Sequence, residues 1–291
     1  MMRATIVGLL LLQTLLSLAE VSVNDDHDQL IKLPHPAQRI ISLAPHLTED
    51  LFAIGAGARI VGTVSYSDYP AQARTIPLVG SYQGLDLERI RVLRPDLIVA
   101  WSSGNSPQQM QQLESLGIRV FFDDSRSLVQ VPTVLERLGV MTGLQAQADQ
   151  AAGKFRQKLL QLQKNYAHRR PVRVFYQVWE HPLMTINGEQ IISDAMRICG
   201  AVNVFSRLPA LVPIVNDEAV IAANPDMIIT SSEPSHDHDE LARWKQWPNM
   251  TAVRHRQLIV LPPDLLNRLG PRLVDGTERL CLAVNQARQY P

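Results

Sequence analysis

Four aromatic side chains in the first half of the chain lie at or just after the ends of predicted strands: Tyr66, Tyr69, Tyr82 and Trp101. In open α/β sheets, ligands bind in the crevice outside the carboxyl ends of the strands. We therefore expect these side chains to meet at one cleft, with Trp179 facing them from the second half of the chain. The competing interpretation is that the aromatic rings seal the edges of two hydrophobic cores, which is their more usual role.

Two charged residues follow a predicted strand near the end of the chain. Asp264 and Arg268 lie in a loop rich in proline and polar residues, so both are candidates for contacting a ligand. Their spacing of four residues also suits a local ion pair with little functional content. The residue pattern by itself favours the ion pair.

The run His-Asp-His-Asp-Glu at residues 236–240 is the segment that most suggests a metal site, because imidazoles and carboxylates bind zinc and related ions. It contains no cysteine, and it alternates like groups in a polar loop before a predicted helix. That arrangement is typical of a solvated acidic helix start. We predict no metal and no cofactor for the chain.

Sequence motifs of catalysis are missing. The chain has no Gly-x-Ser-x-Gly elbow, no His-Glu-x-x-His, no phosphate-binding loop and no Gly-x-Gly-x-x-Gly. No serine or cysteine partner is identifiable for His46, so we expect this residue to line a cleft or cap a helix. We predict a binding protein without catalytic activity. The alternative from another class is a secreted metal-dependent enzyme that uses residues 236–240.

The elements that must position these residues alternate short β-branched runs with helical periods, which indicates strand-helix-strand units and mostly parallel sheets. A first series has predicted strands at 39–43, 60–64, 96–100 and 118–122, and helices at 48–54, 87–93 and 107–116. A second series has strands at 172–178, 226–230 and 257–261, and helices at 191–199, 217–223 and 271–288. The predicted fold is α/β, with two Rossmann-like lobes.

Residues 144–166 carry apolar side chains three or four positions apart, the period of one continuous amphipathic helix. At a rise of about 1.5 Å per residue this helix would be roughly 35 Å long. We predict that it joins the lobes as a single backbone helix and restricts them to small relative movements. The predicted divisions are an N-terminal lobe at 20–143, a linking helix at 144–168 and a C-terminal lobe at 169–291.

An internal echo relates the two series. Residues 86–98 match residues 216–228 at a constant offset of 130, and each copy has a capped helix followed by Pro-Asp and an apolar strand. We interpret the echo as pseudo-symmetry between two related lobes. The alternative is a common local pattern, since Asp and Asn cap helices and Pro-Asp forms turns.

Residues 1–19 have the features of a signal peptide: Arg3, an apolar stretch, and small residues before a predicted cut after Ala19. An uncleaved anchor is the alternative. We expect export to the periplasm, a mature chain that does not insert into the membrane, and a disulfide between the only two cysteines, Cys199 and Cys281. The 28 basic and 28 acidic residues balance, which argues against a nucleic-acid partner.

Three segments carry a resemblance to a known family: Ser-Tyr-Ser-Asp-Tyr-Pro at 65–70, Gln-Gly-Leu-Asp-Leu-Glu-Arg-Ile at 83–90 and Pro-Asp-Leu-Ile-Val-Ala-Trp at 95–101. Through them the chain closely resembles the periplasmic cobalamin-binding proteins of ABC importers. The similarity covers nearly all the mature chain and is weaker in the second lobe. The resemblance implies two α/β lobes on one backbone helix, a cobalamin or related corrinoid as ligand, and an importer permease with its ATPase as partner. We expect a monomer.

The resemblance also implies roles for individual residues. Tyr66, Tyr82 and Trp101 would line the cobalamin pocket from the first lobe, and Asp264 and Arg268 would contribute from the second. Flat aromatic walls suit the broad apolar face of a corrin ring, and a few polar groups would fix its orientation.

The chain departs from the family pattern at some pocket positions. Some members have tryptophan in place of Tyr82 and aromatic residues near Val178 and Val212, and Trp179 is a candidate replacement for one of them. These departures leave open which ligand is bound. The nearest alternative is a haem or iron-siderophore binding protein of the same architecture.

Two glutamates, Glu88 and Glu218, occupy equivalent places in the echo. The resemblance implies that they dock the lobes onto arginines of the permease, where each carboxylate would meet a cationic pocket. The other interpretation is that both are ordinary first-turn glutamates favoured by the helix dipole.

Overall fold

The computed structural model describes residues 20–81, 83–232 and 239–290, and the predicted signal peptide lies outside these residues. The strands of the first lobe are β1 (Val21–Asn24), β2 (Leu30–Leu33), β3 (Ile40–Ser42), β4 (Ile60–Gly62), β5 (Gly80–Ser81), β6 (Gly84–Leu85), β7 (Leu97–Trp101) and β8 (Val120–Asp123). Its helices are α1 (Pro45–Ala53), α2 (Leu87–Leu93), α3 (Pro107–Ser115) and α4 (Val131–Thr142). The main sheet is parallel, in the order β4-β3-β7-β8.

Both faces of this sheet are covered, because successive strand residues point to opposite sides. One core contains the side chains Ile40, Leu97, Val99 and Phe121 together with α1 and α4. The other contains Ile41, Ile98, Ala100 and Phe122 together with α2 and α3. Because both faces are buried, the strands are continuous apolar runs. Polar and aromatic residues such as Trp101 and Asp123 lie at their carboxyl ends.

The second lobe repeats this plan. Its strands are β9 (Val172–Gln177), β10 (Ala201–Asn203), β11 (Met227–Ser231) and β12 (Leu258–Leu261), and they form a parallel sheet in the order β10-β9-β11-β12. Its helices are α6 (Ile191–Ile198), α7 (Asp217–Ala223), α8 (Thr251–Arg254), α9 (Pro263–Leu266) and α10 (Leu273–Ala287). The predicted α/β fold with two Rossmann-like lobes is confirmed.

One helix, α5 (Gln145–Tyr166), lies between the two series in the chain. Its apolar side chains divide between the lobes: Ala148 and Ala152 belong to the core of the first, whereas Phe155, Leu159 and Leu162 belong to the core of the second. A single buried stripe thus spans both lobes, as the apolar spacing predicts. Within the described residues, no helix is both long enough and apolar enough to cross a membrane.

The sequence echo corresponds to matching local geometry. Asp86 caps α2 by accepting from the backbone N–H of the residue three positions on at 2.9 Å, and Asn216 caps α7 in the same way at 2.9 Å. Both helices end in a left-handed residue, Arg94 and Asn224. The aspartate that follows each helix, Asp96 or Asp226, accepts backbone N–H groups that precede a neighbouring strand or lie at its start.

The disulfide between Cys199 and Cys281 is present, which confirms the prediction. It joins the end of α6 to the middle of α10 inside the second lobe. Several other elements were not predicted: the β1–β2 and β5–β6 hairpins, α4, β10, α8 and α9. The β1–β2 hairpin has short strands with only a few buried side chains, and α4 begins Val131-Pro132 after Gln130 without a capping side chain.

Candidate ligand-binding cleft

A cavity of about 190 Å³ lies between the lobes at the carboxyl ends of the strands. The first lobe contributes Trp101, and the second lobe contributes the remaining lining residues: Tyr176, Gln177, Val178, Ile186, Gln190, Ile192, Val212, Ser231, Leu266, Asn267 and Leu269. A smaller adjacent cavity also has Trp101 in its wall, with Ser103, Asp124 and Arg126 from the first lobe. Trp101 is therefore the first-lobe side chain that lines both cavities, and Gln190 and Leu269 of the second lobe also line both.

Trp101 is held in place from several sides. It ends β7, and its backbone N–H donates to the Asn105 Oδ1 at 2.8 Å. A Cβ on Gly104 would lie 1.9 Å from the indole, so only glycine allows the ring to lie against this turn. The ring of His46 packs edge-on against the indole at 5.6 Å between centroids. These contacts keep the indole oriented toward the second lobe.

His46 is buried at the start of α1, and its Nε2 lies 3.0 Å from the Asp123 Oδ2. Burial raises the pKa of the Asp123 carboxyl, but the interactions with His46 and Ser125 outweigh it and lower the pKa overall. Ser125 donates its hydroxyl to Asp123 rather than to the imidazole. The imidazole of His46 thus pairs with Asp123 and packs against Trp101.

The other predicted aromatic residues are placed differently. Tyr66 has a left-handed backbone and is 71% exposed, and Trp179 is 61% exposed with its indole N–H donating to the carbonyl of His181. Neither lines the cavity that Trp101 borders. Tyr82 lies outside the described residues.

Asp264 and Arg268 form the local ion pair that their spacing suggests, at 2.8 Å. Arg268 also reaches across to the first lobe, where it donates to Asp68 at 2.7 Å and to the Glu49 Oε1 at 3.1 Å. Arg272 donates to both carboxylate oxygens of Glu49, at 2.6 and 2.8 Å. Arg268 is therefore more than a partner in a surface pair.

Sequence reasoning missed the roles of Glu49, Asp68 and Arg272 in this network. A usable signal existed, because Glu49 and Asp50 interrupt the apolar face of a short helix, and a buried carboxylate calls for a partner. The identity of that partner was not readable, since Arg268 and Arg272 lie more than two hundred residues away along the chain.

Glu88 and Glu218 lie in the first turns of α2 and α7, with their side chains exposed. Glu88 has one weak contact, with Arg91 at 4.0 Å. Each glutamate is thus a solvated acid on the outer surface of its own lobe, at equivalent places in the repeated unit.

Of the run at 236–240, residues 236–238 lie outside the described residues. Asp239 pairs with Lys245 at 2.6 Å, and Glu240 accepts the Thr230 hydroxyl at 3.1 Å. Within residues 20–81, 83–232 and 239–290, no group of three or more His, Cys, Asp or Glu side chains is arranged to hold a metal ion.

Comparisons with known proteins agree with this architecture. The sequence profile of the periplasmic binding protein family matches residues 40–265. The vitamin B12-binding protein of Vibrio cholerae serotype O1 is 36% identical over 262 residues, which is 89% of this chain and 94% of that protein.

Solved structures give the same picture. The periplasmic vitamin B12 binding protein BtuF of Vibrio cholerae matches with a TM-score of 0.81 and 35% identity, over 88% of this chain and 99% of that one. A periplasmic heme binding protein from Pseudomonas aeruginosa matches with a TM-score of 0.74 and 25% identity, over 85% and 92%. The chain belongs to the periplasmic binding protein family.

Proposed function

We propose that this chain captures cobalamin in the cleft between its lobes and delivers it to an ABC importer. The carrying observation is the interlobe cavity, walled on one side by a fixed indole and on the other by apolar and amide side chains. The similarity to vitamin B12-binding proteins along most of the chain supports the choice of ligand.

The enclosed cavity of about 190 Å³ is smaller than the roughly 300 to 1,000 Å³ typical of small-molecule sites. A corrinoid would therefore also occupy the open cleft beside it. Trp101 supplies the flat apolar surface. We propose that Tyr66, Tyr82 and Trp179 also contact the corrinoid, with Asp264 and Arg268 as polar contacts from the second lobe.

We propose that the protein works in the periplasm and docks onto the permease of the importer. Residues 1–19 direct export and are removed, so the mature protein acts in the periplasm as lobes 20–143 and 169–291 on a linking helix at 144–168. It performs no catalysis and uses no cofactor, because the ligand is cargo. Glu88 and Glu218 dock the lobes onto the permease, and their exposure on matching helices supports this role.

Haem is the second candidate ligand, because a heme-binding protein shares the fold at 25% identity and an aromatic wall suits any flat macrocycle. Titrating the mature protein with cyanocobalamin, haem and a ferric siderophore under one set of conditions separates the candidates. We expect saturable binding of the corrinoid at lower concentration than either competitor. Tighter binding of haem would overturn the proposal.

Docking is tested by reversing the two charges together, Glu88→Arg with Glu218→Arg. We expect cobalamin affinity to be unchanged and importer-dependent uptake to be lost, because like charges would meet at the permease. Glu114→Arg, an exposed charge reversal on α3, is the matched control. Normal uptake by the double variant, or loss of cobalamin binding by the folded protein, would refute the docking role.

A further inference from the structure

The strongest polar contacts between the lobes converge on one buried side chain, Glu49. Its carboxylate is 2% exposed and belongs to α1 of the first lobe. Both oxygens accept from Arg272, and Oε1 also accepts from Arg268. The two arginines belong to the segment between α9 and α10 of the second lobe, so one carboxylate binds two cations that approach from the opposite side of the cleft.

Each arginine has a second contact with the first lobe. Arg268 donates to Asp68 at 2.7 Å, and the guanidinium of Arg272 lies 3.7 Å from the centre of the Tyr69 ring. Asp68 and Tyr69 are adjacent in the loop after β4. The arginines are therefore each held at two points of the first lobe, which fixes their direction as well as their distance.

The backbone between the arginines touches the first lobe directly. A Cβ on Gly270 would lie 3.0 Å from the carbonyl oxygen of His46 and 3.4 Å from its Cβ. A side chain at this position would require a shift of a few tenths of an ångström, so glycine suits the close approach of this segment to α1. The contact lies beside the imidazole that packs on Trp101.

Glu49 and the two arginines stabilise one another where little water reaches them, whereas the Asp68 side chain is 40% exposed. The hydrogen bonds that Arg272 donates to Glu49 raise the pKa of its guanidinium. The hydrogen bond and charge of Arg268 lower the pKa of Asp68 against the opposing effect of burial. Buried ion pairs are screened by salt much less than exposed ones, and loss of one partner leaves an uncompensated charge. The buried ion pairs of Glu49 therefore favour one arrangement of the two arginines.

The lobes are also joined by α5, and Leu128 donates its N–H to Asp194 of α6 at 2.8 Å. A packed backbone helix restricts the lobes to small relative movements. The Glu49 cluster adds a polar attachment between α1 of the first lobe and the segment before α10 of the second.

We propose that Glu49 is a positioning residue: by holding Arg268 and Arg272 together, it sets the spacing of the lobes. This role concerns the protein before any ligand binds and does not depend on the identity of the ligand. It predicts that neutralising Glu49 loosens the arrangement of the lobes while each lobe stays folded.

The test measures the distance between the lobes in ligand-free mature protein. Nitroxide labels are placed on Gln112→Cys in α3 and Arg254→Cys in α8, both at exposed positions, with the Cys199–Cys281 disulfide left intact. Pulsed electron–electron double resonance then gives the distribution of distances between the two nitroxides. We expect a narrow distribution for the parent protein and a distribution at least twice as wide for Glu49→Gln, with Glu49→Asp between them.

Glu136→Gln is the matched control, because Glu136 also accepts from an arginine, Arg156, but joins α4 to α5 rather than one lobe to the other. It should leave the distribution unchanged. Arg272→Gln removes the same ion pair with Glu49 at its more exposed partner. It serves as the test if Glu49→Gln does not fold. Unchanged widths in the folded Glu49 and Arg272 variants, or equal broadening in Glu136→Gln, would overturn the proposal.

Cobalamin titration of the same variants separates this inference from the proposed function. A broadened distribution together with weaker corrinoid binding supports both. A broadened distribution in a protein whose parent binds no corrinoid supports the positioning role of Glu49 and refutes only the proposed ligand.

Discussion

The two lobes share one sheet topology and one set of helix caps, yet they bury different kinds of polar group. Among the described residues, the buried carboxylates and imidazole all lie in the first lobe: Asp25, His46, Glu49, Asp50 and Asp123. The buried polar side chains that the structure describes in the second lobe are neutral. A disulfide joins two helices of this lobe, α6 and α10. The first lobe therefore carries buried charge beside the cleft, whereas the second is reinforced covalently away from it.

This difference shows that a repeated fold can be stabilised in two ways. Buried charge is costly unless it is paired, and it is retained in the first lobe where α1 faces the arginines of the second lobe. The disulfide ties α6 to α10 at a place where both helices pack in an apolar core. Substitutions that remove the disulfide, the cleft indole or a single charge test this difference separately.

The largest effect is expected from removing the disulfide. Replacing Cys199 and Cys281 together with alanine should lower the free energy of unfolding by roughly 4 to 5 kcal/mol, since it frees a loop closed over 82 residues. Urea unfolding followed by circular dichroism measures the change. Because both cysteines are fully buried, part of the loss comes from packing, and reduction of the parent protein with a thiol gives the matched comparison. A double variant with the parent midpoint would contradict the prediction.

A smaller effect is expected from shortening the indole at the cleft. Trp101→Ala should weaken cobalamin binding by about 1 to 3 kcal/mol, because it removes the flat surface that the first lobe contributes to the cavity. Isothermal calorimetry measures the affinity. Trp247→Ala is the control, since Trp247 is a partly exposed tryptophan that does not border the cavity. Equal affinity of the two folded variants would place the site elsewhere.

Asp50 tests the cost of buried charge in the first lobe. Burial raises the pKa of its carboxyl well above the usual range, the carboxylates of Asp123 and Glu49 raise it further, and Oδ1 has no hydrogen-bond partner among the described residues. A raised pKa in the folded state means that the protonated form contributes stability at low pH and that this contribution is lost as the pH rises through the folded value.

Asp50→Asn stays neutral at every pH, so its stability relative to the parent protein should improve as the pH rises from 4 to 8. We expect a gain of about 1 kcal/mol at the upper end, because the neutral amide avoids an ionised carboxylate buried beside Asp123 and Glu49. Urea titrations at several pH values measure the difference. A difference that does not change with pH would show that Asp50 is not the group responsible.

The smallest effect is expected at a surface pair. Arg156 lowers the pKa of the Glu136 carboxyl through hydrogen bonds, against the opposing effect of burial, so the stability from this pair is present near neutral pH and is lost as the pH falls. Because the pair is largely exposed, Glu136→Gln should change the free energy of unfolding by less than about 1 kcal/mol. The same urea titrations measure it, and a loss as large as that of the disulfide variant would contradict the distinction between buried and exposed charge.

Much of the fold was predictable because it depends on local patterns. The helices at 87–93 and 217–223 have the predicted bounds. An Asp or Asn cap defines the start of each helix, and a left-handed residue before Pro-Asp defines its end. The β1–β2 hairpin was not predicted, because short strands with few buried side chains give a weak periodic signal.

The cleft residues were predictable only in part. Trp101 lies at the cavity because the end of a parallel strand faces the crevice, a rule that needs no long-range information. Asp264 and Arg268 were predicted both as a local pair and as ligand contacts, and their spacing determines only the first. The attachment of Arg268 to Glu49 depends on how α1 meets the loop before α10, which no local pattern specifies.

By itself, the sequence determined the fold class, the long connecting helix and the disulfide, because periodicity, capping residues and a sole pair of cysteines are local or compositional properties. Only the tertiary structure decided that Glu49, Arg268 and Arg272 form one cluster across the cleft, and that Asp50 is buried without a partner for one of its oxygens. The physical reason is that a buried charge is tolerated or costly according to which side chains packing brings within about 3 Å of it, whatever their separation along the chain.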